Sequence, residues 1–581
     1  MKWHGGLTRI WLRVAFPAWL LGCSSAHAAP TASRAKKDVT ISVIATNDLH
    51  GRLSQLPLFG GYVKNVRAAR AADGGGVLLL DAGDMFQGTL ASNLTEGAAV
   101  LRGYRALGYT AAALGNHEFD FGPVGPECTP DSADDDPLGA LCARIAEAAF
   151  PILSSNLRTR DGLSAAMLLP GVRPSIVEVV AGVRVGIVGG LTEDALSATH
   201  AANVGRLSIA PLAESVVKEA RALRAAGAEL VIALVHAGSE CASTQNPDDT
   251  SSCDQRGEAF ELARALASAS SGTSRPLVDL IVGGHTHALV AHRVDGIAIV
   301  ESGSNGRAFS RVDLTLRGGD PSQLDTQIFQ PQGLCPDVLE QPVCTRGPYA
   351  GAVIDRDPRV LAAISEDLGR ARSAADAPLG VDVTAPVERS SAVESPLSNL
   401  VVDLMRRAVP GAQAAINNPG SVRVGLPAGV LTYGRVFEVV PFENRLASLR
   451  MRVSDLARIV RNSLQSDRGL VALSGVKATA RCQGDQLSVA LTGADGASLP
   501  LSRVLTVVTS DYVAASGDNL LDGVPLAPDA IKIHSKLSMR DSLIDGLKRY
   551  FGGKINGADP RFYDAKRPRL RYPGPRPIRC G

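Results

Sequence analysis

The sequence predicts an α/β protein of two units, and three observations carry that expectation. Short runs rich in Val, Ile and Leu alternate with amphipathic helical stretches through the first half of the chain, the pattern of a largely buried sheet flanked by helices. The alternation fades across Gly318–Tyr349, a connection containing Pro, Gly and Gln. It resumes near Gly380 and continues to Tyr572, ahead of a Pro- and Arg-rich end.

In chain order, the first unit's strands are expected at Val39–Ala45, Gly76–Leu80, Ala111–Leu114, Val183–Val188, Leu230–Leu234, Val278–Val282 and Ile297–Val300. Leu212–Ala225 and Ala259–Ala269 have helical periodicity between them. The first unit therefore spans 38–320. A linker, 321–379, carries the helix Arg359–Ala375, and a second unit spans 380–572. Hydrophobic residues are 45% and charged residues 20% of the 581, which excludes a disordered chain. Lys+Arg 60 against Asp+Glu 58 gives a formal charge of +2. That balance supplies neither a groove for a nucleic-acid polymer nor a polybasic membrane surface.

Residues 1–28 read as an export segment. Lys2, Arg9 and Arg13 precede the apolar run Val14–Leu21, and two exits follow. Ala26-His27-Ala28 is an A-x-A cleavage site, whereas Leu20-Leu21-Gly22-Cys23 resembles a bacterial lipobox that would leave a lipid anchor on Cys23. No later stretch reaches the roughly 18 apolar residues of a membrane span. The expectation is an exported bacterial protein, periplasmic or anchored at the outer membrane. Of nine cysteines, setting Cys23 aside leaves the close pairs Cys128/Cys142, Cys241/Cys253 and Cys335/Cys344, with Cys482 and Cys580 remaining. In an oxidising compartment these predict four disulfides. Asp131, Asp134, Asp135 and Asp136 lack EF-hand spacing and read as a solvated loop.

The chemistry lies at the strand ends. Asn47-Asp48-Leu49-His50-Gly51 follows the first strand, Gly83-Asp84 the second and Gly115-Asn116-His117-Glu118-Phe119-Asp120 the third. His236 closes the Leu230 strand, and Gly284-His285-Thr286-His287 follows Val278–Val282. Open α/β sheets place ligands at the carboxyl ends of their strands. Asp-x-His and His-x-His spacing on an extended chain aims both side chains to one side. Carboxylate, imidazole and carboxamide oxygen form an N/O donor set suited to Zn, Mn or Fe. Five of the ten histidines fall in these clusters; His4, His27, His200, His292 and His534 carry no such signal.

These motifs resemble those of the calcineurin-like dinuclear metallophosphoesterases. In the second unit, Asn418-Pro419-Gly420-Ser421-Val422-Arg423, Leu431-Thr432-Tyr433-Gly434, Pro441-Phe442 and Asp511-Tyr512-Val513-Ala514-Ala515-Ser516-Gly517-Asp518 narrow the resemblance. Together they are similar to the secreted 5'-nucleotidase family, which includes UDP-sugar hydrolases and ecto-5'-nucleotidases. The resemblance implies a four-layer first domain, sheets flanked by helices, followed by an α/β substrate-binding domain.

It also implies two divalent metal ions. Asp48, His50 and His287 would hold one, Asn116, His236 and His285 the other, and Asp84 would bridge them. His287 departs from the Gln or Asn of several members. His117 and Asp120 match the catalytic dyad. For a small-molecule nucleotide, Phe442 and Tyr512 would sandwich the base, Asn418 would reach the base, Arg423 the phosphate and Asp518 the ribose. Pro419 and Ser421 replace a Gly-rich core, and Ser391 stands where a phosphate-binding Arg is expected, with Arg389 two positions away. The implied activity is 5'-nucleotidase, with a 2',3'-cyclic-nucleotide phosphodiesterase/3'-nucleotidase or UDP-sugar hydrolase as the alternative. A thiosulfohydrolase or a non-catalytic binding protein fits less well.

Overall fold

Val39–Thr46 is buried on both sides. Ile41, Val43 and Ala45 face one apolar core and Ile44 another, the period-two outcome of a strand covered on two faces. Leu230, Ile232 and Leu234 alternate in the same way with Val231, Ala233 and Val235. The computed structural model, which describes residues 37–125, 128–130, 132–273, 275–334, 347–515 and 517–581, arranges the first unit's main strands in two sheets.

One sheet runs, in spatial order, Leu324–Ile328, Ala308–Leu316, Val39–Thr46, Gly76–Asp81, Ala111–Ala113, Ile152–Leu153 and Val172–Arg173, with Gln332–Gly333 joined to Ala308–Leu316. The other runs Leu289–Val294, Ile297–Ser302, Leu280–Val282, Leu230–His236, Val183–Leu191 and Ser175–Val180. The two sheets share one core. Helices Leu56–Asp73 and Ala98–Leu107 cover one outer face, and Leu212–Ala225 and Glu258–Ala269 the other. This is the four-layer architecture. The parallel pairing of Val39–Thr46 with Gly76–Asp81, and of Leu230–His236 with Leu280–Val282, gathers the carboxyl ends within each sheet.

The connecting helix is Pro358–Ala375, started by Pro358 and by Asp357, whose side chain accepts from the Arg359 amide. Val360, Ile364 and Ala371 enter the first unit's helix-side core, and Arg102 grips Asp367 with two hydrogen bonds of 3.0 and 2.7 Å. At its far end Ala375 lies against Gly434 of the second unit, where an added Cβ would fall 2.7 Å from that of Ala375. The helix thus joins the two units while packing into the first.

The second unit centres on a five-stranded sheet, ordered Ala472–Ser474, Ala414–Asn417, Val504–Ser510, Arg445–Arg452 and Ile531–Ser538. Apolar cores cover both faces. No helix among the described residues is long and apolar enough to cross a membrane.

The disulfides partly correct the expectation. Cys241–Cys253 and Cys482–Cys580 are bonded, the latter fastening the C-terminal end to the strand Val476–Gln483. Cys128 and Cys142 are both free. Cys142, on the helix Gly139–Glu147, turns its Sγ to the Leu168 carbonyl at 3.4 Å, while Cys128 is buried with its carbonyl held by Asn203 Nδ2 at 2.9 Å. Close in sequence, they nevertheless have different neighbours in one core. Burial pushes the Cys128 thiol well up from its ordinary pKa. The pair Cys335/Cys344, the leader with Cys23, and Asp131 lie outside the described residues. Asp134 and Asp136 are exposed, and Asp136 pairs with Arg206 at 2.8 Å.

Candidate active site

Five of the predicted metal-binding residues adopt left-handed backbone, which corrects the extended-chain expectation. The φ angles are 49° at Asp48, 48° at His50, 56° at Asp84, 81° at His285 and 60° at His287. Such conformations cost on the order of 1–3 kcal/mol each and persist where surrounding bonds enforce them. Here the Asp48 amide donates to Gly83 O at 2.9 Å and the His50 amide to Asp84 O at 3.0 Å, so two strand-end loops hold each other. The His285 amide donates to Asp48 Oδ2 at 2.9 Å, tying the two sheets' loops together. Gly83, at φ 93°, approaches so closely that a Cβ would lie 2.7 Å from Gly115 N.

Two groups of donor atoms result. Asp48, His50 and His287 form one, and Asp84, His236 and His285 the other. His50 Nε2 lies 3.0 Å from His287 Nε2, and His287 Nε2 lies 3.4 Å from Asp48 Oδ1. Asp84 Oδ2 stands between the groups, 3.3 Å from His236 Nε2 and 4.0 Å from His50 Nε2. Asn116 Nδ2 donates to Ala198 O at 3.1 Å, which turns its Oδ1 to within 3.1 Å of both His236 Nε2 and His285 Nδ1. The remote ring nitrogens of His50 and His236 are fixed by the carbonyls of Gln87 (2.9 Å) and Ala82 (2.8 Å), the outer support that orients metal-binding imidazoles. Asp48 is fully buried, and its Oδ1 has no hydrogen bond. An orphaned carboxylate oxygen facing clustered imidazoles fits divalent cations.

His117 is not a member of either group. Its amide donates to Asp84 Oδ1 at 2.9 Å, and its Nδ1 meets Asp120 Oδ2 at 2.6 Å. Thr199 Oγ1 donates to the other oxygen of Asp120 at 2.7 Å. Burial alone would lower the His117 pKa, but the charges of Asp120 and Asp84 outweigh it and carry the imidazole up to about 9.

A cavity of about 290 Å³ joins the two units. Asp84, Asn116, His117, His285 and His287 line it from the first, and Asn418, Arg423, Phe442 and Tyr512 from the second. The Phe442 ring lies 6.5 Å from that of His117, at 22°, and the Arg423 guanidinium sits 4.9 Å from the Phe442 centroid. Tyr512 packs on Gly517, where a Cβ would fall 2.5 Å from the ring. Asp518 is placed by its backbone, in the turn Gly517–Asn519. Pro419–Ser421 forms a single 3₁₀ turn with Pro419 against Gly469. Arg389 is committed to that loop, its Nε donating to Val422 O at 2.9 Å.

Several site residues carried no recognised role in the sequence. The Glu118 carboxylate accepts from the amides of Asp84, Met85, Phe86 and Gly115, bracing the loops that carry Asp84 and Asn116. Its adjacency to His117 was the available signal. Asn47 bonds Asp48 Oδ2 and Gly303 O, each at 2.6 Å. Thr199, His200 and Asn444 line the cavity, and His200 Nδ1 lies 3.9 Å from Asp511 of the second unit.

Residues 41–289 match the family model for calcineurin-like phosphoesterases, and 373–523 match that for the 5'-nucleotidase C-terminal domain. Fold and site define a metal-dependent phosphoester hydrolase. With both domains present in order, the chain belongs to the two-domain 5'-nucleotidase family. It is 26% identical over 537 residues to Protein UshA of Yersinia enterocolitica, covering 86% of this chain and 90% of that one. It is 24% identical over 533 residues to the cell wall protein Lmo0130 of Listeria monocytogenes, covering 86% of this chain and 66% of that protein's length. In fold it is similar to the 5'-nucleotidase precursor of Thermus thermophilus, with a TM-score of 0.64, 23% identity and coverage of 92% and 99% of the two chains.

Proposed function

We propose that the protein is an exported 5'-nucleotidase that hydrolyses nucleoside 5'-monophosphates to nucleoside and phosphate. The supporting observation is the cavity that brings the two donor groups together with Arg423, Phe442 and Tyr512. The basic, apolar and A-x-A leader sequence and two disulfides support export. The metal roles of Asp48, His50, Asp84, Asn116, His236, His285 and His287 are part of this proposal, with Zn, Mn or Fe as the fitting class of ion.

When bound, a pair of such cations activates water and polarises the phosphoryl oxygens. The chain's residues do the rest. Asp120, steadied by Thr199, holds His117 protonated and oriented, so that its Nε2 can donate to a phosphoryl oxygen or the departing ribose oxygen. Arg423 supplies a second positive charge, and the rings of Phe442 and Tyr512 offer apolar faces to a base. The second domain carries these contacts, so its closure on the first would align phosphate and base.

Phosphate release from AMP, abolished by chelator and restored by Mn²⁺ or Zn²⁺, is the expected result; release from UDP-glucose or a cyclic nucleotide but not AMP would redirect the assignment. Tyr512→Ala separates base reading from chemistry. Stacking is worth on the order of 1–3 kcal/mol per base, so kcat/KM for AMP should fall about 5- to 150-fold, while 4-nitrophenyl phosphate stays nearly unchanged. Equal losses on both substrates would make Tyr512 a support of the fold.

A further inference from the structure

Glu301, the penultimate residue of the strand Ile297–Ser302, is 1% exposed and belongs to none of the motifs that mark the site. Its carboxyl group lies between two loops that carry metal-site histidines. On one side is Thr286, between His285 and His287, with Oγ1 2.7 Å from Glu301 Oε1. The Ala288 amide donates to the same oxygen at 3.3 Å. On the other side is Ser239, three residues beyond His236, whose amide donates to Glu301 Oε2 at 3.4 Å. Gly238 completes the contact: a Cβ there would lie 2.5 Å from Glu301 Oε2, 2.5 Å from Gly284 O and 2.6 Å from Thr286 Oγ1. Glycine is the residue that lets the two loops meet over this carboxyl group.

We propose that Glu301 is a positioning residue of the metal centre, fixing the His236 loop and the His285–His287 loop in register through a hydrogen-bond chain from its carboxyl to Thr286 to Ser239. The inference rests on the metal reading of the two donor groups. The chain follows from a proton count. Thr286 Oγ1 faces two acceptors, Glu301 Oε1 and Ser239 O at 3.1 Å, and has one proton to give. With Glu301 as a neutral acid, Oε1–H donates to Thr286, Thr286 donates to Ser239 O, and the Ser239 amide returns to Oε2. Every group is then satisfied. Burial, reinforced by the nearby charge of Asp48, favours that neutral form by raising the carboxyl pKa to about 8.

The consequence concerns metal affinity. Outer partners of metal ligands contribute roughly 10–100-fold to affinity. Metal-stripped wild type, Glu301→Gln, Glu301→Leu and Thr286→Val are titrated with Mn²⁺ and Zn²⁺, reading the dissociation constants and the metal-induced rise in Tm. Gln can donate to Thr286 and accept from Ser239, so Glu301→Gln should bind within about threefold of wild type. Glu301→Leu and Thr286→Val should bind about 10–100-fold more weakly, with a smaller rise in Tm. A loss of apo stability alone, with unchanged affinity in both, would overturn the proposal. So would Glu301→Gln binding as weakly as Glu301→Leu, since the effect would then depend on charge. Should Glu301→Leu fail to fold, Thr286→Val decides. Failure of the wild type to take up metal would instead overturn the metal reading, and shows before any variant is compared.

Discussion

Asp84→Asn should fold, lose paired metal binding and lose turnover by at least about 10³-fold, more than the roughly 10–100-fold that an outer partner of a metal ligand contributes. Among the described residues, Asp84 is the carboxylate that stands between the two donor groups, with Oδ2 3.3 Å from His236 and 4.0 Å from His50. Its other oxygen accepts the His117 amide. Two cations held without a shared anion repel each other, and a neutral carboxamide removes the charge that screens them. Asn is the informative replacement because Asp84 sits at φ 56°, and Asn tolerates left-handed backbone better than other residues with a Cβ. Metal stoichiometry and AMP hydrolysis are measured on the purified variant, with Tm as the check on folding. A folded variant with two metals and wild-type turnover would overturn the bridging role proposed for Asp84.

The legibility of this site in the sequence follows from what sequence patterns encode. Strands buried on both faces leave dense Val, Ile and Leu runs, so Val39–Ala45, Gly76–Leu80 and Leu230–Leu234 were visible together with the polar residues that follow them, and the observed strands extend one or two residues further. The backbone that aims those residues was not. Left-handed φ is easily foreseen at glycine, but here Asp and His adopt it, forced by hydrogen bonds between loops far apart in sequence. Glu118 was in plain view beside His117, but its four amide partners come from two loops. Glu301 lies in an ordinary apolar strand, and only the meeting of two loops over its carboxyl group gives it a role. The same reasoning explains the free thiols: Cys128 and Cys142 are neighbours in sequence, but helix Gly139–Glu147 turns one toward Leu168. The helical run Arg359–Ala375 was legible in the sequence, and the structure adds Pro358 and the Asp357 cap at its start, while its commitment to the first unit depends on Arg102, which no local pattern links to it.

His117→Asn should keep both metals and lose roughly 10²–10⁴-fold in kcat, the usual contribution of a positioned acid or base. The geometry separates this residue from the ligands, because its Nδ1 is taken by Asp120 at 2.6 Å and Asp120 is in turn held by Thr199. The pH dependence provides a second, independent reading. His117 is raised from 6.5 to about 9, with Asp120 and Asp84 overcoming the effect of burial. The protonated ring is therefore favoured in the folded state. Its ion pair contributes to stability fully below the ordinary histidine pKa, and that contribution is lost as pH rises through about 9. Bound cations repel the imidazolium and draw the transition toward neutrality, so in the loaded enzyme the alkaline limb lies at or below that value. If His117 donates the proton, kcat/KM for AMP falls along this limb in the wild type, and the limb is absent in His117→Asn. A variant that loses metal would make His117 a ligand. One that keeps both its metal and the alkaline limb would assign the titration to another group and leave the proton donor to be found elsewhere in the cavity.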